Sequence, residues 1–365
     1  MDAMTRRRFL LAGGTVAGSA LAAGATAYGL REILTTIADG PPGKTLVLVT
    51  LYGGCDGLST VIPYADEAYA AARPALAYSA DQVLRLDDTT GLNPALTGLH
   101  RLYGENRVAV VRGVGYPKPD RSHFKSMDIW QTGQPERPGT TGWLGRWLDL
   151  AGRDPRLAVS FEPVLPMMLA GATCAGATVP DGAAQLPETV TPALLRALAG
   201  PAPDESAARA RAAECFGDLL RVRDLMAGVD PAGRTATAAS PLDTQLALVA
   251  RCVEAGAATR VYSVSLGGFD LHADEQAPME SLLAELDRPL SAFADRMAGR
   301  DVLVAVYSEF GRRVRANASD GTDHGTASSM FLIGDGVRGG LHGEQPSLTD
   351  LDDGDLKYTV DFRDV

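Results

Sequence analysis

Only five histidines occur in the chain, and three of them sit close to an aspartate. His123 follows Asp120 by three residues, His272 follows Asp270 by two, and His324 follows Asp323 directly. Asp56 stands in the segment GGCDGLS, and Glu309 in SEFGRR with Arg312 and Arg313 behind it. Imidazole nitrogens and carboxylate oxygens are ligands that divalent cations such as Zn²⁺, Mn²⁺ and Ca²⁺ take. Carboxylates gathered in a partly buried site repel one another. A divalent cation is the simplest remedy, because it satisfies several carboxylates and neutral imidazoles at once. Ser122, directly before His123, is the candidate nucleophile, since a cation lowers the pKa of a bound hydroxyl as it does that of water. His123 either binds the metal or acts as a base. Arg312 either pairs with Glu309 or grips an anionic substrate through its planar fork. Taken singly, the same residues have plainer uses: Asp56 and Asp323 in turns, Ser122 as a helix cap, His324 as a packed histidine. His100, inside a helical pattern, and His342, in a Gly-rich loop, read as structural.

Position is what joins the chemically active set. Residues 44–51, 107–114, 157–161, 260–266, 301–307 and 328–333 are apolar, β-branched runs that read as buried strands. Helical patterns fall at 65–72, 94–103, 123–131, 143–150, 204–229, 241–257 and 278–297, the last with Pro289 expected to kink or split it. Strands alternating with helices predict an α/β fold with a mostly parallel central sheet and helices on both faces. Residues 165–257 read as a helical insertion or cap in the middle, with a polar linker over 230–240. In open parallel sheets ligands collect at the carboxyl ends of strands. The segments that follow the predicted strands are those holding Asp56, Ser122 and His123, Asp270 and His272, Glu309 and Arg312, and then Asp323 and His324. One site at one sheet edge is the prediction.

The chain opens with Thr5-Arg6-Arg7-Arg8-Phe9-Leu10, a twin-arginine pattern, and continues as a Gly/Ala-rich run to Ala25-Thr26-Ala27. This predicts export by the twin-arginine translocase, to the periplasm, the cell surface or the medium, with residues 1–27 removed and 28–43 as a linker. The run is too poor in Leu, Ile and Phe to gain much from permanent membrane insertion. The net charge is −11, and loss of residues 1–27, with three arginines and one aspartate, makes it −13. That argues against nucleic acid or anionic lipid as partner. The four cysteines show no C-x-x-C spacing and read as core residues rather than a disulfide framework. No G-x-G-x-x-G follows the first predicted strand, which argues against a dinucleotide oxidoreductase.

The twin-arginine start and the segments GGCDGLSTVIPY, RSHF, TGWLGR, GGFDLH, SEFGRR, GTDHGTAS, GVRGG and DFRDV, in that order, resemble an exported bacterial family known as domain of unknown function 1501. The similarity runs from about Lys44 to the end of the chain. SEFGRR…GTDHGTAS is its most specific part. The family is grouped with the alkaline phosphatase and sulfatase superfamily. The grouping implies a single alkaline phosphatase-like α/β domain over 44–365 and a two-metal site acting on phosphate or sulfate esters. By position, Asp56 resembles the superfamily's first-strand metal aspartate, Ser122 lies near the nucleophile, and Asp270 and His272 resemble an Asp/His metal pair. Glu309 stands where many members have an Asp-His pair, and Asp323 and His324 supply ligands displaced from there. No C/S-x-P-x-R run occurs, which weakens the sulfatase branch. The family pattern continues past DFRDV into a further helix, so the chain is expected to be a fragment or a truncated product.

The resulting expectation is an exported metal-dependent hydrolase acting on a small anionic ester or polymer. Asp56, Asp270, His272, Glu309, Asp323 and His324 hold one or two divalent cations, and Ser122, His123 and Arg312 take part in catalysis. The rival expectation is a non-catalytic relative that binds a partner or polymer at the cell surface.

Overall fold

The computed structural model describes residues 26–27, 43–137, 139–179 and 240–365. The expected signal segment, apart from its last two residues, the linker up to residue 42, the helix over 204–229 and the linker over 230–239 lie outside the described residues. The chain divides into two compact units. One comprises Gly43–Thr140, Ser240–Ala250 and Val264–Val365, the other Met1–Pro42, Thr141–Ala239 and Arg251–Ser263.

In the first unit, the run KTLVLVTL forms β1 (Thr45–Tyr52) and RVAVVRGV forms β2 (Val108–Gly115). Both are buried along almost their whole length, as strands covered on two faces must be. β3 (Ala158–Ser160) and β4 (Ala177–Thr178) belong to the second unit. β5 (Val261–Gly267) begins in the second unit and ends in the first. β6 (Val302–Ser308) and β7 (Ser328–Ile333) complete the long strands, and β8 (Gly340–His342) and β9 (Val360–Asp361) are short. β1 pairs with β6 in parallel from Thr45↔Val302 to Leu51↔Ser308. β3 pairs in parallel with β4 and with the start of β5. β8 and β9 lie parallel to β2.

The mostly parallel α/β sheet expected from the sequence is therefore the sheet found, with one reversal. β7 runs antiparallel to both β6 and β2. The cause is local: no helix intervenes between Ser308 and Ser328, so the chain lacks the crossover that a parallel return needs. It turns back through SEFGRR and GTDHGTAS, and that return places both segments at the same end of β6.

Two helices pack against each other. The helix Thr97–Gly104 buries Leu99 and Leu102 as its apolar stripe predicts. The helix Gln276–Arg296 runs unbroken through Pro289, against the expected kink or split. Its buried Asp287 caps the other helix, accepting from the N–H groups of Gly98 (2.7 Å) and Leu99 (2.8 Å). Those donors have no partner within their own helix, so this contact satisfies them. Among the described residues, no helix is long and apolar enough to cross a membrane.

Candidate metal centre

β1 ends in Tyr52-Gly53-Gly54, where both glycines take positive φ. A Cβ on Gly53 would stand 2.6 Å from the backbone nitrogen of Asp270, closer than such atoms approach. Glycine there lets the loop after β1 lie against the loop after β5. The two segments beyond β6 are laced together by backbone bonds, Gly311 N–H to Thr326 O (2.7 Å), Arg313 N–H to Asp323 O (3.0 Å) and Gly325 N–H to Gly311 O (2.9 Å). His324 is thereby folded back over Phe310. His123 opens the helix His123–Thr132, which is tied down by Ser126 Oγ donating to the Glu309 carbonyl (2.5 Å). The buried Phe310 ring lies 4.8 Å from the ring of His123 and 5.1 Å from that of His324, an apolar floor beneath both.

These loops bring three imidazoles and one carboxylate to a common point. His324 Nε2 is 3.0 Å from His123 Nε2, 3.1 Å from His272 Nε2 and 3.1 Å from Asp270 Oδ1. Asp270 Oδ1 is 2.8 Å from His272 Nε2 and 3.4 Å from His123 Nε2. His123, Asp270 and His324 each offer one ligand atom, all within 4.8 Å of one another, the size of a shared metal site, and His272 flanks them. The outer nitrogens tell the same story. His123 Nδ1 faces Glu309 Oε1 (2.8 Å), His272 Nδ1 faces Asp323 Oδ1 (3.4 Å), and His324 Nδ1 faces the carbonyl of Arg121 (2.9 Å). Each partner is an acceptor, so each Nδ1 carries the proton and each Nε2 presents a lone pair inward. Lone pairs facing one another at 3 Å require a cation or shared protons between them. The residues fit a divalent metal ion on that count.

Electrostatics reinforce the arrangement. Partial burial works against the charge on Asp270, but the hydrogen bond and positive charge of Arg312 hold its carboxyl well below the usual range. Burial likewise opposes ionisation of Glu309. His123, the N–H of Gly53 (2.9 Å) and Ser308 Oγ (2.9 Å) outweigh it, and the net shift is downward. The same contact with Glu309 raises the pKa of His123 against its partial burial. Asp323 is held low by the Asn317 amide and by His272.

The structure thus assembles His123, Asp270, His272 and His324 at the centre, with Glu309 and Asp323 one step behind as acceptors for the imidazole N–H groups. His123 faces the same point as the other two imidazoles, and the ring adjacency that reveals this has no counterpart in sequence spacing. Arg312 also arrives there but is fully spent. Its N–H groups go to the carbonyls of Gly53, Gly54, Phe269 and Thr322 and to Asp270 Oδ1, and its side chain is 1% exposed. It clamps three loops and one ligand, and Nη1 also faces His272 Nε2 at 3.5 Å. Ser122 is exposed at the N-cap position of its helix, with its hydroxyl unused for capping. His100 and His342 each bond a backbone carbonyl and take no part.

Asp56, expected among the metal ligands, is turned elsewhere. It caps the short helix Gly57–Thr60 through Leu58 N–H (3.1 Å) and Ser59 Oγ (2.6 Å). Both of its oxygens also meet the guanidinium of the buried Arg73. Glu275, likewise buried, accepts from Thr322 Oγ1 (2.6 Å) through Oε2. Its Oε1 has no hydrogen-bond partner among the described residues. Burial and the neighbouring Asp56 charge accordingly push Glu275 up to about 8, while Arg73 holds Asp56 low against its own burial. Nothing in the spacing around Arg73 or Glu275 announces this pair.

Two expected outcomes follow from these contacts. Glu309→Gln keeps an acceptor for His123 but removes the charge, and Zn²⁺ affinity should fall about 10- to 100-fold. Competition against a chromophoric chelator measures it, and unchanged affinity would count against Glu309 as an orienting group. For Glu275 the sign is fixed by its raised pKa. Its contribution to stability is complete below the ordinary value of 4.5 and is lost as pH rises through about 8. Glu275→Gln should flatten this slope. Between pH 5 and 8.5 the wild-type Tm should drop roughly 5 °C relative to the variant, and parallel curves would show that no proton is held there.

Fold and site together define an α/β protein with a mixed, mostly parallel sheet, carrying a three-histidine, one-aspartate cluster at one edge. Residues 205–360 match the family described as "Protein of unknown function (DUF1501)". No match is found among the curated proteins. Solved structures with partial likeness include the C-terminal periplasmic domain of EcEptC from Escherichia coli in complex with Zn, at 10% identity and a TM-score of 0.38, covering 82% of this chain and 77% of that one. A protein in the alkaline phosphatase superfamily from Vibrio parahaemolyticus aligns at 10% identity and a TM-score of 0.40, over 87% and 69%. The lipoteichoic acid synthase LtaP from Listeria monocytogenes aligns at 10% identity and a TM-score of 0.36, over 86% and 72%.

Proposed function

We propose that this chain is an exported member of the domain of unknown function 1501 family, a metal-dependent hydrolase of the alkaline phosphatase type acting on phosphate esters. The observation that supports it is the inward convergence of three imidazole Nε2 atoms on Asp270, each ring held by an acceptor on its other nitrogen. His123, His272, His324 and Asp270 hold the cation. When bound, the cation supplies Lewis-acid polarisation of an ester oxygen and lowers the pKa of a nearby hydroxyl or water. Glu309, Asp323 and the Arg121 carbonyl accept the Nδ1 protons of the three rings and so turn each Nε2 inward. Arg312 keeps Asp270 ionised and holds the loops in register. Ser122, exposed beside His123 with its hydroxyl uncommitted to capping, is the nucleophile of this reading. The missing C/S-x-P-x-R run favours phosphate over sulfate esters.

The test is metal content followed by turnover. Purified protein should take up stoichiometric Zn²⁺, Mn²⁺ or Ca²⁺ and hydrolyse a generic phosphate monoester, with Ser122→Ala inactive yet still metal-loaded. A protein that stays metal-free and ignores such esters would instead support the partner-binding alternative. Export is tested by placing residues 1–27 before a reporter and replacing Arg6 and Arg7 with lysine, which should abolish its transport.

A further inference from the structure

The four groups that meet at the cluster are not held alike. His123, Asp270 and His324 each place one ligand atom within 4.8 Å of the other two, and His272 stands at their side. We propose that His123, His324 and Asp270 hold the cation permanently, and that His272 is a displaceable ligand that yields its position to an oxyanion such as phosphate. The proposal rests on the hydrolase reading above and names the side of the metal centre on which its substrate docks.

Four observations set His272 apart. First, the rings of His123 and His324 lie on Phe310 and 4.3 Å from each other, whereas among the described residues the ring of His272 meets that of His324 alone, at 4.9 Å. Second, Nδ1 of His123 is 2.8 Å from the buried Glu309, and that of His324 is 2.9 Å from a backbone carbonyl. Nδ1 of His272 is 3.4 Å from Asp323, whose side chain is 59% exposed. A contact of that length in water holds a ring weakly. Third, Arg312 Nη1 lies 3.5 Å from His272 Nε2, so a fixed positive charge faces the lone pair that the cation must take. Like charges so placed repel, and the same N–H group gives a released imidazole a donor to turn to. Fourth, the His272 side chain is 44% exposed, against 28% for His123 and 26% for His324. Its backbone is nonetheless fixed, with Asn317 Nδ2 donating to its carbonyl (3.0 Å), so rotation about the side-chain bonds suffices to release it. The shortest inward contact of His272, 2.8 Å to Asp270 Oδ1, sets a lone pair against an acceptor and holds the ring only while a cation satisfies both. Divalent cations of this kind accept oxygen ligands as readily as imidazole, and an oxyanion is therefore a competent replacement.

The experiment uses the full chain loaded with Co²⁺ in place of Zn²⁺, and inorganic phosphate as the probe. Paramagnetic Co²⁺ shifts the ring protons of the imidazoles it binds well outside the ordinary NMR range. Three imidazoles should show such signals without phosphate and two in excess phosphate, the lost set being the one missing from His272→Ala. By chelator competition, His272→Ala should lose about tenfold or less in Zn²⁺ affinity, no more than an orienting partner is worth. His123→Ala and His324→Ala should each lose more than about a hundredfold. Three shifted imidazoles in excess phosphate, the same two with and without it, or a loss in His272→Ala as large as in the other variants would overturn the proposal. The signal count is read on the wild type and depends on no variant folding. A chain that takes up neither Co²⁺ nor Zn²⁺ would sink the hydrolase reading and the proposal together, whereas a loaded chain that keeps all three signals sinks the proposal alone.

Discussion

Replacing His324 with alanine should lower the affinity for Zn²⁺ by more than about a hundredfold, beyond the 10- to 100-fold typical of losing an orienting partner. His324 is the node of the cluster: its Nε2 alone lies within 3.1 Å of both other imidazole nitrogens and of Asp270. Without it, His123 and His272 keep their own acceptors in Glu309 and Asp323 but lose the ring that links them. The fold should survive, because the side chain is 26% exposed and water can fill the space. Calorimetric titration of the metal-free protein with Zn²⁺ reads the loss, and the thermal transition of the same sample without metal should move little. Wild-type affinity in this variant would mean that the imidazoles are gathered for some other reason, such as sharing protons.

The candidate centre was legible in sequence to the extent that strand ends are legible. The runs that become β1, β2, β5 and β6 are apolar and β-branched, and the loops after them hold nearly all the acids and histidines that meet in space. What spacing could not supply was the division of labour. Whether a histidine points its Nε2 inward depends on what its Nδ1 finds, and Glu309, Asp323 and the Arg121 carbonyl reach their rings from across the fold. For this reason Glu309 and Asp323 looked like ligands in one dimension. Arg312 looked like a substrate grip because a planar fork next to an acid commonly is one, and its saturation by four backbone carbonyls depends on loops distant in the chain. The antiparallel return of β7 was hidden because a buried strand carries no mark of direction. Asp56 had two readings from the start, turn cap or ligand. A buried arginine seventeen residues on, with no sequence signal of its own, makes it cap and ion-pair partner in the structure.

That arginine carries the largest stability effect to be expected here. Arg73 is completely buried. Its guanidinium serves both oxygens of Asp56, the hydroxyl of Ser59 (3.3 Å), and the carbonyls of Val314 (2.8 Å) and Arg313 (2.6 Å). Arg73→Met preserves much of the volume but strands the Asp56 carboxylate beside Glu275. Breaking a buried pair from one side costs about 3–5 kcal/mol, because the remaining charge keeps its desolvation penalty without its compensation. Denaturant unfolding at pH 7 should show that loss as a shifted midpoint with an unchanged slope. Two controls identify the cause as stranded charge rather than lost packing. Adding Asp56→Asn to Arg73→Met should recover part of the loss, since a neutral amide can still cap the Gly57–Thr60 helix. The deficit of the single variant should also shrink as pH falls. In the wild type Arg73 keeps the Asp56 carboxyl below its ordinary value; without that cation, burial raises it, and protonation then relieves the variant at a pH where the wild type is still ionised. A deficit independent of pH, and a double variant no better than the single one, would assign the cost to packing. Because the Arg313 carbonyl that Arg73 holds adjoins Arg312, the clamp on Asp270, the same variant should bind Zn²⁺ more weakly even where it remains folded, which links the buried pair to the metal centre through one peptide unit.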